Sequence, residues 1–344
     1  MAWKRLQNKQ LQHNLIKRAQ VLRGIRDFFD SDGFVEVMTP RMVRLAGQEP
    51  YLDPFVTNVT DAQNNSYEAR LITSPEYSCK KLLAAGFEKI YDLGSCFRNR
   101  EAFGGLHNLE FTMLEWYRAD ADYTTLMDDV DAFLTKFTQL STSTLDVDST
   151  SSVDCERVSM RELWRRYCDV DLDVLLERES LVRFVTERGI HFSEDDRYED
   201  LFYRVFLKEI EPELIKPTLV YDYPAQMAAL AKLKNDKYAE RVELYIDGIE
   251  IANGFSELID GEEQKKRLIE EQKLRGELGR DVFDIDEDFI DALSSMKPSA
   301  GIALGVDRLI MSLLGTKNIE DVIAFPAQYL FNNMDPGRLR DDNL

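Results

Sequence analysis

Apolar residues recur at helical spacing in some stretches of the chain and at alternate positions in others. A helix is predicted over residues 11–31, where apolar side chains return every three to four positions until Asp32 and Gly33 end it. The same two patterns predict two short strands and two further helices, at 34–40, 55–59, 73–86 and 123–140. The first half of the chain therefore mixes helices with strands.

A strand, a polar loop and a second strand are predicted in DLGSCFRNREAFGGLHNLEFTMLEWYR. The second strand alternates, which brings Phe111, Met113, Glu115 and Tyr117 onto one face. A carboxylate on a buried face costs free energy unless a cation pairs with it. Arg98, at the end of the preceding strand, could supply that cation, and so could a bound ammonium. A half-buried hairpin with surface ion pairs is the alternative.

These residue types suit a ligand that carries phosphates, a base and an amine. Arg98 offers a planar fork of donors that matches phosphate oxygens, and His107 could meet outer phosphates. Phe111 offers a flat surface for a stacked base. Glu115 and Tyr117, further along the same face, could hold an amino group.

A tight hairpin is predicted at Asp247 and Gly248, which separate two alternating runs. If these two residues form the turn, Glu243 faces Ala252 and becomes a diagonal neighbour of Glu250. Mg²⁺ takes one or two carboxylates together with substrate phosphates, so this pair could hold it. Alternatively, both carboxylates point to water. The strand after the turn alternates a further set of candidate residues, Asn253, Phe255 and Glu257.

Small residues share one face of a strand predicted near residue 303. Gly301, Ala303 and Gly305 leave that face almost without side chains, which favours close approach by a ligand or by another backbone. Arg308 follows where the strand gives way to a helix, and a phosphate could lie there. Tight sheet packing, with Arg308 in a salt bridge, is the alternative.

The second half of the chain contains the clearest linker. Residues 141–152 are rich in Ser, Thr and Asp, and the charged helical patterns that follow predict a helical insertion at about 153–215. A strand pattern returns at 216–224. We expect one catalytic domain over 1–327 and a C-terminal tail over 328–344.

Composition narrows the classes of protein that fit. The net charge of −20 over 344 residues argues against a general nucleic-acid binder, which needs a basic face. No apolar run is long enough to span a membrane, and the polar start of the chain predicts no signal peptide. Four cysteines without metal spacing and only three histidines make a zinc site improbable. The cysteines are interpreted as reduced thiols in a cytoplasmic protein.

Three segments, in order, resemble the three signature motifs of class II aminoacyl-tRNA synthetases. DSDGFVEVMTP is similar to motif 1, a helix and strand at the dimer interface of that family. FRN followed by HNLEFTMLE is similar to motif 2, and GIALGVDR to motif 3. SPEYSCKKLL, EFTMLEWY and EIANGFSEL resemble the lysyl-tRNA synthetase branch in particular.

Within that branch the chain resembles the short paralogues that attach (R)-β-lysine to elongation factor P. The motif 1 helix begins within the first dozen or so residues, which is expected to leave no room for the anticodon-binding OB-fold of lysyl-tRNA synthetases. Two positions agree with this resemblance: Ser74 and Ala303 stand where lysyl-tRNA synthetases usually have alanine and glycine.

The resemblance implies a role for each candidate residue. Arg98 would hold the α-phosphate of ATP and the carboxyl group being activated, with Arg98 and Arg308 as the catalytic residues. The ATP-binding set implied is Arg98, Glu101, His107, Asn108, Phe111, Glu243, Glu250 and Arg308. The last two glutamates, Glu243 and Glu250, would bind Mg²⁺. The set implied for the amino-acid substrate is Ser74, Glu76, Glu115, Tyr117, Asn253, Phe255, Glu257 and Ala303.

One stretch departs from the family pattern. The family reads FRNE in motif 2, whereas this chain reads FRNRE, one residue longer before HN. Either Glu101 takes the role of the family's glutamate through a shifted loop, or Arg100 replaces it and ATP binding is altered. Leu109 also replaces the usual proline.

The resemblance implies an α/β (α+β) fold with a six- or seven-stranded antiparallel sheet flanked by helices, working as a homodimer. The expected activity is ATP- and Mg²⁺-dependent activation of lysine or (R)-β-lysine as an aminoacyl adenylate. Transfer to a lysine of elongation factor P would follow, with tRNA not expected as acceptor. Two other interpretations stay open: a stand-alone lysyl-tRNA synthetase that reads only the acceptor stem, and a non-catalytic regulatory module.

Overall fold

The structure is a computed structural model that describes residues 2–142 and 155–331. Most of the predicted linker at 141–152 and of the predicted tail at 328–344 lies outside these residues. The α-helices among them are α1 (Lys9–Ser31), α2 (Glu76–Ala84), α3 (Tyr123–Thr142), α4 (Met160–Cys168), α5 (Arg178–Glu187), α6 (Tyr198–Val205), α7 (Gly261–Glu277), α8 (Glu287–Leu293), α9 (Val306–Leu314) and α10 (Ala327–Phe331). The strands are β1 (Val35–Glu36), β2 (Met42–Val43), β3 (Val56–Thr60), β4 (Ser66–Leu71), β5 (Lys89–Phe97), β6 (Glu110–Ala119), β7 (Glu156–Ser159), β8 (Thr218–Pro224), β9 (Tyr238–Ile246), β10 (Ile249–Ser256) and β11 (Ser299–Gly305).

The main sheet has eight strands among the described residues, in the order β1-β5-β6-β11-β10-β9-β8-β7. Its six inner strands are antiparallel to one another, as predicted. The sheet has more strands than the predicted six or seven, because the short edge strands β1 and β7 add a parallel pair at each edge. A second, small sheet has the order β2-β4-β3.

Helix α1 starts and stops where its sequence signals lie. The Asn8 side chain accepts hydrogen bonds from the backbone N–H groups of Gln10 and Leu11, at 2.8 and 3.1 Å, and so caps the first turn. Gly33, with φ of +76°, follows the last turn in the left-handed region that glycine adopts at little cost. The predicted helix over 11–31 is confirmed, with two more residues at its start.

Strand β6 separates the main core from the candidate site. Leu114 and Trp116 are fully buried on one face, among side chains of α1, α3 and α9. The indole of Trp116 lies 5.3 Å from the ring of Phe29 and donates a hydrogen bond to Asp129 at 3.1 Å. Glu115 and Tyr117 point to the other face, as the alternation predicts. One face of the strand therefore anchors it while the other is free to line a cavity.

The predicted insertion has a core of its own that also reaches the sheet. Its buried residues include Trp164, Leu181 and Phe202 from α4, α5 and α6, packed with Val220 and Tyr245 from β8 and β9. The region is not wholly helical, since it begins with strand β7. Helix α10 also crosses the predicted start of the tail at 328.

Two features bear on the environment predicted from composition. All four cysteines are free thiols, and three of them are buried. Within residues 2–142 and 155–331, the helices are too short or too polar to traverse a lipid bilayer.

Candidate active site

A cavity of about 250 Å³ lies over the face formed by β6, β11 and β10. Its wall contains most of the candidate residues: Ser74, Glu76, Arg98, Glu101, His107, Asn108, Phe111, Glu115, Tyr117, Glu250, Asn253, Phe255, Glu257, Ala303 and Arg308. Glu243 is the one candidate that lies outside it. The structure thus brings together residues that are more than 200 positions apart in sequence.

Arginines occupy the end of the cavity beside Phe111. The guanidinium carbon of Arg98 lies 5.0 Å from the centre of the Phe111 ring. The Nε of Arg98 is buried and has no hydrogen-bond partner among the described residues. Arg308, in the first turn of α9, donates a hydrogen bond to the carbonyl oxygen of Glu250 at 2.9 Å. A buried donor without an acceptor suits an anionic ligand such as the phosphates of ATP.

The extra residue in motif 2 is accommodated at Arg100. This residue has a φ of +60°, which is uncommon for a residue with a side chain. Its side chain is 63% exposed and points to Asp53, at 3.7 Å, on the β2–β3 connection. Glu101 instead lines the cavity and contacts His107 Nδ1 at 2.9 Å, an interaction that lowers the pKa of the Glu101 carboxyl. The geometry favours Glu101 over Arg100 as the counterpart of the family's glutamate.

Both ends of the Asn108 side-chain amide form hydrogen bonds with backbone groups. Its Nδ2 donates to the carbonyl oxygen of Glu110 at 2.6 Å, and its Oδ1 accepts from the N–H of Ala327 at 2.8 Å. These bonds tie motif 2 to the start of α10. They favour a supporting role for Asn108 over direct contact with a nucleotide.

Glu115 lies buried at the opposite end of the cavity with two hydroxyl donors. Ser74 Oγ and Tyr117 Oη each donate to one of its oxygens, at 2.6 Å in both cases. Burial, with the nearby Glu76 as the next cause, raises the pKa of the Glu115 carboxyl to about 8. A positive neighbour would stabilise the charged form of this buried carboxyl, so Glu115 is suited to bind an ammonium.

Lys80 is a buried cation that the sequence analysis missed. It lies one helical turn after Glu76 on α2, and its Nζ contacts the carboxylates of both Glu76 and Glu257, at 2.5 and 2.6 Å. The ammonium also lies 5.2 Å from the ring of Phe255. Burial raises the pKa of the Glu257 carboxyl, the charge of Lys80 lowers it and the charge of Glu76 raises it. The net effect is a pKa of about 8. The spacing of Glu76 and Lys80 was the available signal.

Strand β11 forms the bare floor of the cavity, as predicted from its small residues. Ala303 pairs with Glu115 on one side and with Asn253 on the other. A Cβ at Gly301 would lie 2.2 Å from the Tyr117 ring, so only glycine leaves room for that ring. The close approach is thus made by a side chain of the site itself.

The hairpin of β9 and β10 turns where predicted, but beyond Glu250 it pairs in a different register. Asp247 and Gly248 have φ of +54° and +67°, the left-handed pair that a two-residue turn requires. A bulge between Glu250 and Ala252 shifts the pairing, so Glu243 faces Asn253. The predicted opposition of Glu243 and Ala252 is wrong, because a bulge adds one residue to a strand.

The two glutamates predicted to bind Mg²⁺ differ in what they contact. Glu243 is buried and accepts hydrogen bonds from the hydroxyls of Tyr223 and Tyr245 and from the guanidinium of Arg241. Glu250 faces the cavity, with Arg308 4.0 Å away. Loss of hydration inside the cavity raises the pKa of the Glu250 carboxyl, and the negative charge of Glu243 raises it further. Glu250 therefore fits a cation that also contacts phosphates, whereas the oxygens of Glu243 are already engaged.

The comparison with protein families agrees with this geometry. The family model for class II tRNA synthetases (D, K and N) matches residues 2–329. The chain belongs to this family. Class II synthetases use ATP, which suits the cavity's combination of arginines, a stacking ring and buried carboxylates.

Proteins of known name resemble this synthetase-family chain over nearly their whole length. "Elongation factor P--(R)-beta-lysine ligase" of Yersinia enterocolitica is 42% identical over 323 residues, which cover 91% of this chain and 95% of the relative. The proteins of that name from Proteus mirabilis and Photorhabdus laumondii are 40% and 41% identical, again over 91% of this chain.

The raised pKa values predict that this class II chain binds an amino acid bearing ammonium groups more tightly as the pH rises from 6 to 8. Glu115 and Glu257 each have a pKa of about 8. Glu115 must lose a proton before it can pair with an ammonium, and Glu257 before it can pair with one in addition to Lys80. Each such proton changes affinity by up to about tenfold per pH unit. Calorimetric titration with lysine across this range measures the slope. Affinity that does not vary with pH would show that neither carboxyl meets the ligand.

Proposed function

We propose that this chain is an ATP-dependent ligase that activates (R)-β-lysine, or a close isomer, as an aminoacyl adenylate. It then transfers the aminoacyl group to a lysine side chain of elongation factor P. One observation carries the proposal: a single cavity holds Arg98, whose buried Nε has no partner among the described residues, at one end and the buried carboxylate of Glu115 at the other. The names of relatives covered over 95% of their length support the choice of substrate and acceptor.

Activation joins the carboxylate of the amino acid to the α-phosphorus of ATP and releases pyrophosphate. We assign Arg98 to the α-phosphate and the reacting carboxylate, where its donors would stabilise the charge that develops. Arg308 and His107 would hold the outer phosphates, and Phe111 would stack on the adenine. Catalysis comes mainly from position and charge, so no covalent intermediate with the protein is required.

Glu250 is the residue that best fits a Mg²⁺ ion held together with ATP phosphates. When bound, such an ion supplies positive charge at the phosphate oxygens. Glu243 would not contact the ion and would act on Glu250 through its nearby negative charge. This differs from a site in which both carboxylates bind the metal directly.

The amine end of the cavity would recognise a substrate with two ammonium groups. Glu115 and Glu257 would take the distant ammonium, with Tyr117 holding Glu115 in place. Glu76 would take the ammonium nearer the carboxylate. Asn253, Phe255, Ser74 and Ala303 would shape the space between these groups.

A stand-alone lysyl-tRNA synthetase shares the same first step, so the acceptor separates the two functions. The names of the relatives and the net charge of −20 favour a protein over a long phosphate backbone. A regulatory module without activity is disfavoured by the presence of Arg98, Arg308 and Glu250 on one cavity.

We further propose that the enzyme works in the cytoplasm as a homodimer. Large apolar residues of α1 and of the segment after it stand exposed, with Ile16, Val35 and Met38 at 60%, 49% and 93% exposure. Covering such residues favours association. The free cysteines suit a reducing compartment.

The direct test of the proposed activation is ATP–pyrophosphate exchange with α-lysine and (R)-β-lysine measured side by side. Exchange that depends on either isomer and on Mg²⁺ is the expected result. If no lysine analogue supports exchange, the activation step is excluded and the regulatory interpretation replaces it.

Replacing Ala303 with glycine is expected to improve activation of α-lysine relative to (R)-β-lysine. The methyl group stands on the cavity floor between Glu115 and Asn253, where the backbone of the substrate would lie. One methyl in a pocket discriminates by roughly 10- to 200-fold. The ratio of kcat/KM for the two isomers in exchange measures the change, and an unaltered ratio would move attention to Ser74.

A further inference from the structure

The cavity wall near Glu76 contains three residues that the proposed function does not use. Gln48 and Glu49 come from the β2–β3 connection, and Glu271 comes from α7. All three line the same cavity as Arg98 and Glu115. None of the three was a candidate in the sequence analysis.

Gln48 gives the strongest evidence for a ligand, because it is only 1% exposed and only one end of its side-chain amide is hydrogen-bonded among the described residues. Its Nε2 donates to the carbonyl oxygens of Phe283 and Asp284, at 3.2 and 3.0 Å. Its Oε1 is buried and accepts no hydrogen bond from any residue that the structure describes, and the same holds for Oε2 of Glu49. Buried acceptors without donors indicate a missing donor.

Glu271 adds a carboxylate that forms no salt bridge with any cation among the described residues. The nearby charged groups are Glu49, Glu76 and Glu199, which raise the pKa of its carboxyl, and Arg267, which lowers it. Arg267 itself bonds Glu263 at 2.9 Å and the carbonyl oxygens of Ala229 and Ala231. Burial is the largest cause, and together these effects raise the pKa of Glu271 to about 8. A cationic donor would satisfy this wall.

The amino-acid substrate has no ammonium left for that position. In the proposed function, which this inference rests on, Glu76 takes one ammonium, and Glu115 and Glu257 take the other. The remaining amine in the reaction is the attacking one. We propose that Gln48, Glu49 and Glu271 form the binding site for the ammonium of the acceptor lysine, and that Glu271 removes its proton.

Transfer of the acyl group to the acceptor lysine begins with a proton transfer. The acceptor arrives as an ammonium, gives one proton to the carboxylate of Glu271, and so frees the nitrogen lone pair. That lone pair forms the bond to the acyl carbon, and the bond from the acyl carbon to the phosphate oxygen breaks, so that AMP leaves. The second proton on nitrogen is lost to water, which yields a neutral amide. General-base catalysis of this kind contributes typically 10²–10⁴-fold.

The test separates the two half-reactions in the Glu271→Gln variant, with Glu270→Gln as the control. Glu270 is the adjacent exposed residue on the same helix, so the control makes the same change of charge outside the cavity. We expect Glu271→Gln to keep pyrophosphate exchange within about twofold of wild type. Transfer to elongation factor P should fall about 100-fold, while hydroxylamine, which needs no base of this kind, should still trap the adenylate. The control should retain both half-reactions.

The pH dependence of the transfer rate distinguishes a general base at Glu271 from a residue with a purely structural role. In wild type the rate should rise with pH and level off above about 8. In Glu271→Gln it should keep rising towards the pKa of the lysine itself, about 10.4. Glu49→Gln should move the plateau to lower pH, because it removes a charge that raises the pKa of Glu271.

Two results would overturn this inference while leaving the proposed function intact. Equal loss of exchange and transfer in Glu271→Gln would assign the residue to the amino-acid substrate. Unchanged transfer with an unchanged pH profile would leave it no part in the reaction. Failure of exchange in the wild type, by contrast, would remove the proposed function itself.

Discussion

Changing Glu250 to glutamine is expected to reduce ATP–pyrophosphate exchange by at least about 100-fold. The carboxylate faces the cavity near Arg308 and has no hydrogen-bond donor on its oxygens among the described residues, so it is available to a cation. Loss of one well-placed electrostatic contact in a closed site costs about 10²–10³ in rate. Exchange measured against Mg²⁺ concentration should show that added metal recovers only part of the activity.

The matched control for this change is Glu213→Gln. Glu213 is exposed and lies next to Leu214, whose carbonyl oxygen accepts a hydrogen bond from Gly248 at the turn of the same hairpin, so it tests the effect of one lost charge. It should keep wild-type exchange. A Glu250→Gln enzyme with full activity and the wild-type Mg²⁺ dependence would contradict the assignment of the metal to this residue.

Replacing Lys80 with methionine is expected to lower the free energy of unfolding by about 3–5 kcal/mol, the usual cost of breaking a buried ion pair from one side. The ammonium is fully buried between Glu76 and Glu257, and methionine keeps the apolar stem but leaves both carboxylates without it. The KM for lysine in exchange should change more than kcat. Without Lys80, the pKa of the Glu257 carboxyl rises further, because the positive charge that lowers it is lost.

The double variant Lys80→Met with Glu257→Gln separates stability from recognition. Removing both charges should return part of the lost stability in urea denaturation, since no unpaired charge stays buried at that position. It should not restore the affinity for lysine. Full recovery of both properties would contradict the assignment of Glu257 to the substrate ammonium.

The sequence predicted what depends on local periodicity. The alternation around Glu115 put Phe111, Met113 and Tyr117 on one face, and the structure has them on the cavity wall. Small residues at alternate positions predicted the bare strand under Tyr117. Helix α1 was predicted almost to its ends, because cap and stop residues act over a few positions.

The errors arose where distant segments decide the outcome. The bulge beside Glu250 cannot be derived from the hairpin turn, because it depends on how β10 meets its neighbours on both sides. The strand predicted at 34–40 forms only over Val35–Glu36, and its parallel pairing with β5 could not be derived from its own residues. Lys80 and Glu271 appear as ordinary charged residues of helices, and only the tertiary fold shows which of them face the cavity.

The account's central claim is that the activated amino acid is transferred to a protein. Its most direct test incubates the enzyme with ATP, Mg²⁺ and (R)-β-lysine, together with either elongation factor P or total tRNA, and follows both acceptors. Intact-mass analysis should show elongation factor P heavier by one lysine residue, with tRNA left essentially uncharged. Efficient charging of tRNA without a protein adduct would contradict the account.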